Sequence, residues 1–176
     1  HRSGVPVIAY DRLINDCDLD LYVSFDNEKI GEMQASYLVE RKPAGNYVLI
    51  GGPPTDLSAK ACRRGQMKVL QPYIDRGDIQ IVEDQCAKDW LSTEALQIME
   101  VALEKCDGRV DAVLASNDGM AGGAIHALGR RGLEGKVLVS GQDADRAACQ
   151  RIMAGTQSMT VYKPFKSLAC LAAEAA

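Results

Sequence analysis

Polar and aromatic side chains follow several apolar, β-branched runs of this sequence, either at once or after a short turn. They are Asp11, Arg12, Asp56, Trp90, Asn117, Asp118, Asp143 and Lys163. Carboxylate and amide oxygens accept hydrogen bonds, whereas guanidinium, ammonium and amide groups donate them, so the set offers both partners that a hydroxyl group needs. The carboxylates of Asp11, Asp56 and Asp143 are nearly balanced by two cations. This charge pattern favours a neutral ligand rich in hydroxyl groups.

Trp90 is the only tryptophan of the chain, and it follows a predicted strand rather than lying in the apolar stripe of a helix. A flat indole can cover the C–H face of a sugar ring while polar groups around it fix the hydroxyls. Two alternatives stay open at this point: Trp90 could only anchor the next helix, and each Asp or Asn could only cap a helix. Polar residues after six strand ends together favour a binding site.

Catalytic patterns are weak in this chain. His126 is the only interior histidine, and its mid-helix position predicts packing or solvent contact rather than a role as a base. The sequence has no Gly-x-Ser-x-Gly elbow, no phosphate-binding loop and no Gly-x-Gly-x-x-Gly after a strand. Three aspartates could instead hold a divalent metal, but Arg12 and Lys163 would compete for the carboxylates. We therefore expect no catalysis, no cofactor and no metal.

The elements that must position these residues alternate along the chain. Strand-like runs are predicted at residues 5–9, 21–25, 47–50, 79–82, 110–115, 137–139 and 159–162. Stretches with helical spacing lie between most of them. Asp26 and Asn27 are predicted to precede the first long helix, Asp56 the second, and Ser92 or Thr93 to open the third. This alternation predicts an open α/β fold of parallel sheets with helices on both faces. In such folds ligands bind outside the carboxyl ends of the strands.

The bulk composition excludes several classes of protein. Apolar residues make up 47% and charged residues 25%, a balance typical of globular proteins. A net charge of −4 gives no attraction for nucleic acid, and the apolar runs have strand length rather than the ~20 residues of a bilayer-spanning helix. The six cysteines form no Cys-x-x-Cys pair, which argues against zinc and thioredoxin-like sites. A disulfide framework stays open, although free, core-like cysteines are the favoured interpretation.

Six segments carry a resemblance to a known family. They are residues 9–16, 24–29, 65–70, 115–118, 140–145 and 159–164. Together they resemble the D-xylose-binding proteins of bacterial ABC uptake systems, members of the type I periplasmic binding proteins. The resemblance implies two α/β lobes joined by crossover segments, with the sugar in the cleft between them.

The same resemblance implies how the chain is divided. Residues 1–29 are expected to be a remnant of the first lobe, residues 30–160 the complete second lobe, and residues 161–176 the return into the first. The ligand groups Asp11, Arg12 and Lys163 then belong to the first lobe. Those assigned to the second lobe are Asp56, Trp90, Asn117 and Asp143.

One position departs from the family pattern. Ser58 stands where the family usually has asparagine, so the hydrogen bond expected there would be shortened or lost. Basic residues from the start of the family's chain are absent, and His1 is not a start methionine, so we expect an internal piece of a longer chain that binds sugar poorly by itself.

Function and location follow from the resemblance as expectations. It implies binding of D-xylose or a similar small sugar, a periplasmic or extracellular location, membrane association if a lipid anchor is present, and a permease of an ABC transporter or a sensor kinase as partner. The alternative is the effector-binding lobe of a sugar-responsive transcription regulator. A signal peptide or a helix-turn-helix upstream of His1 would distinguish the two.

Overall fold

The computed structural model describes residues 4–14 and 16–175. The chain divides into a larger compact unit, Asn27–Tyr162, and a smaller unit formed by the chain up to Asp26 and from Lys163 onward. The two junctions thus lie at 26/27 and 162/163, whereas the family resemblance places them at 29/30 and 160/161.

Strands and helices alternate in both units. The strands are β1 (Ile8–Tyr10), β2 (Leu21–Val23), β3 (Gly45–Gly51), β4 (Ile79–Cys86), β5 (Ala112–Ala115) and β6 (Leu138–Val139). The helices are α1 (Asn27–Arg41), α2 (Leu57–Asp75), α3 (Ser92–Lys105), α4 (Asp118–Arg130), α5 (Arg146–Met153) and α6 (Phe165–Glu174), with a short 3₁₀ turn at Lys88–Trp90.

The larger unit contains a four-stranded sheet in the order β4-β3-β5-β6. Every neighbouring pair is parallel, with Tyr47 opposite Ala112 and Ala112 opposite Leu138. Parallel neighbours need crossover connections, and α2, α3 and α4 provide them. The predicted α/β class with parallel sheets and helices is confirmed.

Both faces of this sheet are buried, and successive residues of β3 supply the two cores. Val48 and Ile50 face the cluster that α3 and α4 cover, whereas Tyr47 and Leu49 face the cluster under α1 and α2. Side chains alternate between the two faces of a strand, so a strand covered on both sides must be apolar throughout. All four residues are fully buried.

Helices α1 and α2 approach each other backbone to backbone at two glycines. A Cβ atom added to Gly31 would lie under 3.0 Å from the carbonyl of Cys62, and one added to Gly65 would collide in the same way with the carbonyl of Glu28. The two helices can pack this closely only because neither glycine carries a side chain.

The smaller unit pairs β1 with β2 in parallel, with Ile8 opposite Leu21, and packs α6 beside them. The rings of Phe25 and Phe165 meet edge to face with 5.4 Å between their centroids, an arrangement that aromatic pairs favour.

The predicted strand at 159–162 is wrong as a strand, because only a single bridge forms there, between Gln142 and Val161. Ser158 and Thr160 use their side-chain hydroxyls instead, which accept hydrogen bonds from the backbone N–H groups of Val139 (2.9 Å) and Ala144 (3.1 Å). These contacts replace part of a regular ladder. Within the described ranges, no helix combines the length and the apolar character that crossing a membrane requires.

Candidate functional site

Asp56 and Trp90 are in direct contact at the carboxyl end of the larger sheet. Asp56 is the N-cap of α2, and its Oδ1 accepts hydrogen bonds from the backbone N–H of Ser58 at 2.9 Å and from the Ser58 hydroxyl at 2.5 Å. Its other oxygen, Oδ2, accepts the indole N–H of Trp90 at 3.2 Å. One carboxylate therefore caps a helix and orients the indole at the same time.

The backbone around Trp90 is held in an unusual conformation. Asp89 and Trp90 have φ values of 50° and 59°, in the left-handed region that residues with a side chain seldom adopt. The indole lies against Gly52, where an added Cβ would come within 3.0 Å of the ring carbons. Trp90 is half-buried and packs on the core cluster of α3 and α4. Strained conformations of this kind concentrate at functional sites.

Asn117 caps α4 with only half of its amide. Its Oδ1 accepts a hydrogen bond from the N–H of Met120 at 2.9 Å. Its amide nitrogen makes no hydrogen bond with the residues that the structure describes. The helix-cap role considered for Asn117 is therefore correct, and it leaves a donor group for a ligand.

Asp118 is almost fully buried, with 1% of its surface exposed, and it organises the loop after β6. Its Oδ2 accepts hydrogen bonds from the Thr160 hydroxyl at 2.9 Å and from the backbone N–H of Asp145 at 3.1 Å. Its Oδ1 accepts the side-chain amide of Gln157 at 2.8 Å. Burial raises the pKa of this carboxyl group, and the hydrogen bonds oppose that effect.

Asp143 lies in that loop with φ 100°, followed by Ala144 with φ 53°. The backbone N–H of Asp143 donates to the carbonyl of Val161 at 2.9 Å. Asp145 then caps α5 by accepting the N–H of Ala148 at 2.6 Å. The loop is therefore tied down on both sides of Asp143.

A buried polar network lies behind these strand ends. The side-chain amide of Gln34 donates to the carbonyl of Gly141 at 3.0 Å, and Gln66 donates to Gln34 at 2.9 Å and to the Ser116 hydroxyl at 3.3 Å. Gln34 and Gln66 are fully buried. These hydrogen bonds connect α1 and α2 to the residues that follow β5 and β6, although Oε1 of Gln66 is buried without a partner among the described residues.

The remaining predicted residues lie in the smaller unit. Asp11 has φ 63°, and its backbone carbonyl accepts hydrogen bonds from the hydroxyls of Ser24 (2.9 Å) and Tyr22 (3.2 Å). Arg12 follows it with an exposed side chain. The ammonium group of Lys163 lies 5.0 Å from the centroid of the Phe165 ring. Each position is held by its own contacts.

Among the predicted residues of the larger unit, the structure brings Asp56, Ser58 and Trp90 into direct hydrogen-bonded contact. Asn117 and Asp143 are linked through Asp118. Asp118 follows Asn117 in the sequence, and its carboxylate accepts the backbone N–H of Asp145 in the loop that contains Asp143. Gln34 and Gln66 are supporting residues that sequence reasoning missed, and glutamines in apolar helix stripes were the available signal. Asp118 was noted at its strand end, but its role in holding the loop after β6 was not predicted.

The other groups with chemical potential are dispersed. His126 is exposed on α4. Across residues 4–14 and 16–175 no three His, Cys, Asp or Glu side chains cluster as metal ligands would. All six cysteines are free, and only Cys62 and Cys106 are buried.

All 176 residues of the chain match the periplasmic binding protein domain family. The chain belongs to this family. It is 59% identical over 175 residues to the D-xylose-binding periplasmic protein of Escherichia coli K12, and 60% identical over 175 residues to the protein of the same name from Haemophilus influenzae. In both cases 99% of this chain and 53% of the relative are covered. The resemblance seen in the sequence is confirmed.

A solved structure agrees with this assignment. An ABC transporter periplasmic solute-binding protein from Actinobacillus succinogenes, crystallised with D-allose, matches with a TM-score of 0.86 and 30% identity. The match covers 98% of this chain and 62% of that protein. The chain spans about half the length of the curated relatives it matches.

Proposed function

We propose that this protein binds a monosaccharide, with D-xylose as the preferred ligand, and does not catalyse a reaction of the bound sugar. The observation that carries the proposal is the fixed indole of Trp90, held by the Asp56 carboxylate at the carboxyl end of the sheet. An oriented aromatic face beside an acceptor suits a sugar ring, whose C–H face is apolar and whose edge carries hydroxyls. Two relatives close to 60% identical that bear the name D-xylose-binding support the choice of sugar.

Each ligand residue has a proposed role. Asp56 and Asp143 accept hydrogen bonds from sugar hydroxyls, the amide nitrogen of Asn117 donates one, and Trp90 covers the ring. In the smaller unit, Asp11 supplies a further acceptor. Arg12 and Lys163 supply donors there, and their charges offset those of the carboxylates. Ser58 is engaged with Asp56, so its own contact with sugar is minor in this proposal.

The proposal extends to place and partner. The names of both relatives place them in the periplasm, which supports a periplasmic or extracellular location. The similar ABC transporter solute-binding protein supports a permease of an ABC transporter as partner. A similar fructose-binding periplasmic domain of a hybrid two-component system supports a sensor kinase as the other candidate. The names of the two relatives favour a periplasmic sugar-binding protein over the effector-binding lobe of a transcription regulator.

Trp90 fluorescence provides the test, because Trp90 is the only tryptophan of these 176 residues; any further tryptophan in an extended chain would be replaced by phenylalanine. D-xylose, L-xylose, D-ribose and D-glucose would be titrated into this chain and into a chain extended to the length of the relatives. We expect a saturable change with D-xylose in the extended chain, a weaker response to the other sugars, and recovery of the sugar unchanged. If an extended, folded chain shows no fluorescence change with D-xylose, D-xylose is not the ligand. Turnover of any pentose would contradict the proposed absence of catalysis.

A further inference from the structure

A cavity of about 290 Å³ opens on the larger unit beside the loop that follows β3. Its walls are largely apolar, with contributions from Pro53, Pro54, Ala59 and Cys86. A volume of this size lies at the lower end of the range for small-molecule sites. None of the residues predicted to bind sugar lines it.

Positive charge borders this apolar cavity. Arg63 lines it and pairs through Nη2 with Asp84, but its Nη1 is buried and has no hydrogen-bond partner among the described residues. Lys60 also lines it, is exposed, and forms no ion pair with any residue in the described ranges. The third cation there, Arg64, is paired with Glu28 at 3.5 Å.

A carboxylate that enters the cavity meets two cationic side chains of its wall, the exposed ammonium of Lys60 and the partly exposed guanidinium of Arg63. We propose that this cavity is a binding site for a small monocarboxylate with an apolar body. The carboxylate pairs with Arg63 and Lys60, and the body lies against the prolines and Ala59.

The chemistry of the lining argues against a second sugar site. Among the described residues, Asp84 is the only acidic side chain of the lining, and its Oδ2 already pairs with Arg63. A sugar would therefore find few side-chain acceptors for its several hydroxyl protons. A dicarboxylate would leave one charge near apolar walls, because Arg64 is paired elsewhere.

The chain contains its own reporters for this site. Gly52 lines the cavity and also contacts the indole of Trp90, so an occupant that shifts the loop changes the emission of that tryptophan. Cys86 is an exposed, free thiol in the wall, whereas Cys149 is an exposed, free thiol elsewhere. Alkylation of the two can be compared within one molecule.

Benzoate is the probe, and benzyl alcohol is its neutral analogue. With this chain we expect benzoate to bind saturably with a Kd on the order of 1 mM, to shift Trp90 emission, and to slow alkylation of Cys86 without affecting Cys149. Benzyl alcohol should bind at least tenfold more weakly, and D-xylose should not compete. Equal binding of the two probes, competition by D-xylose, or no benzoate binding at millimolar concentration would each overturn the proposal.

Three variants and one control locate the site. Arg63→Met should weaken benzoate binding about tenfold or more, and Cys86→Phe should abolish it by filling the cavity. Lys60→Gln changes an exposed residue, so it should weaken binding a few-fold without affecting folding, which thermal unfolding would verify. Lys136→Gln, an exposed change outside the cavity, should have no effect. Unchanged affinity in both folded Lys60→Gln and folded Cys86→Phe would place benzoate elsewhere.

Discussion

The indole nitrogen of Trp90 donates a hydrogen bond to Oδ2 of Asp56 across 34 positions of sequence, at 3.2 Å. This bond joins the turn after β4 to the N-cap of α2. Oδ1 of the same carboxylate caps the helix through Ser58, so the start of α2 and the indole share one carboxylate. The proposed acceptor and the proposed ring platform are thus in direct contact.

Asp56→Asn separates the two roles of this carboxylate. Asparagine is as good an N-cap as aspartate, so the free energy of unfolding should change by less than about 1 kcal/mol. The charge and one acceptor oxygen are lost, so the Kd for D-xylose should rise at least tenfold in the extended chain. Calorimetric titration and urea unfolding measure the two effects. Asp78→Asn, an exposed change, is the control, and an unchanged Kd for Asp56→Asn would remove Asp56 from the site.

Gly52→Ala tests the contact between the indole and the loop after β3. The new Cβ would lie within 3.0 Å of the Trp90 ring, so we expect a shift of Trp90 emission and a loss of about 1–3 kcal/mol in the free energy of unfolding. The control is Gly119→Ala, where the nearest atom outside its own neighbours lies at 3.7 Å. There the change should be neutral or slightly stabilising. Equal effects of the two substitutions would contradict the close approach.

Asp118→Asn reports on the buried carboxylate behind the site. Burial raises the pKa of Asp118 above its ordinary value of 3.8. The folded protein therefore holds this proton more tightly than the unfolded chain, and the contribution to stability falls as pH rises through the raised pKa. Urea unfolding between pH 4 and 7 should show the advantage of the natural chain over the variant shrinking with rising pH. An advantage that grows over this interval would contradict the direction of the shift.

Ser58 can be tested by two substitutions with opposite expectations. Ser58→Ala removes the hydroxyl contact to Asp56 but keeps the backbone N–H that completes the cap. Stability should then change by less than about 1 kcal/mol, and sugar affinity should change little. Ser58→Asn restores the residue usual in the family and should lower the Kd for D-xylose. A loss of D-xylose affinity in Ser58→Ala as large as that in Asp56→Asn would show that Ser58 contacts the ligand itself.

Local patterns predicted much of this molecule. The apolar run of β3 and the cap at Asp56 could be predicted because they depend on residues a few positions apart. The bond between Asp56 and Trp90 could not be predicted, because it depends on how distant segments of the chain are placed. The conformation of Asp143 was also hidden, since a positive φ at a residue with a side chain is imposed by surrounding contacts. Segment 159–162 has strand composition, yet the hydroxyls of Ser158 and Thr160 compete for the ladder.

The facing glycines of α1 and α2 limit which substitutions these two positions can accept during evolution. The atoms that would collide with a side chain at Gly31 or Gly65 are main-chain carbonyl oxygens of the opposite helix. Every amino acid carries that carbonyl, so no second mutation on the partner helix can make room. A side chain at either position therefore requires the two helix backbones to move apart, whatever residues line them.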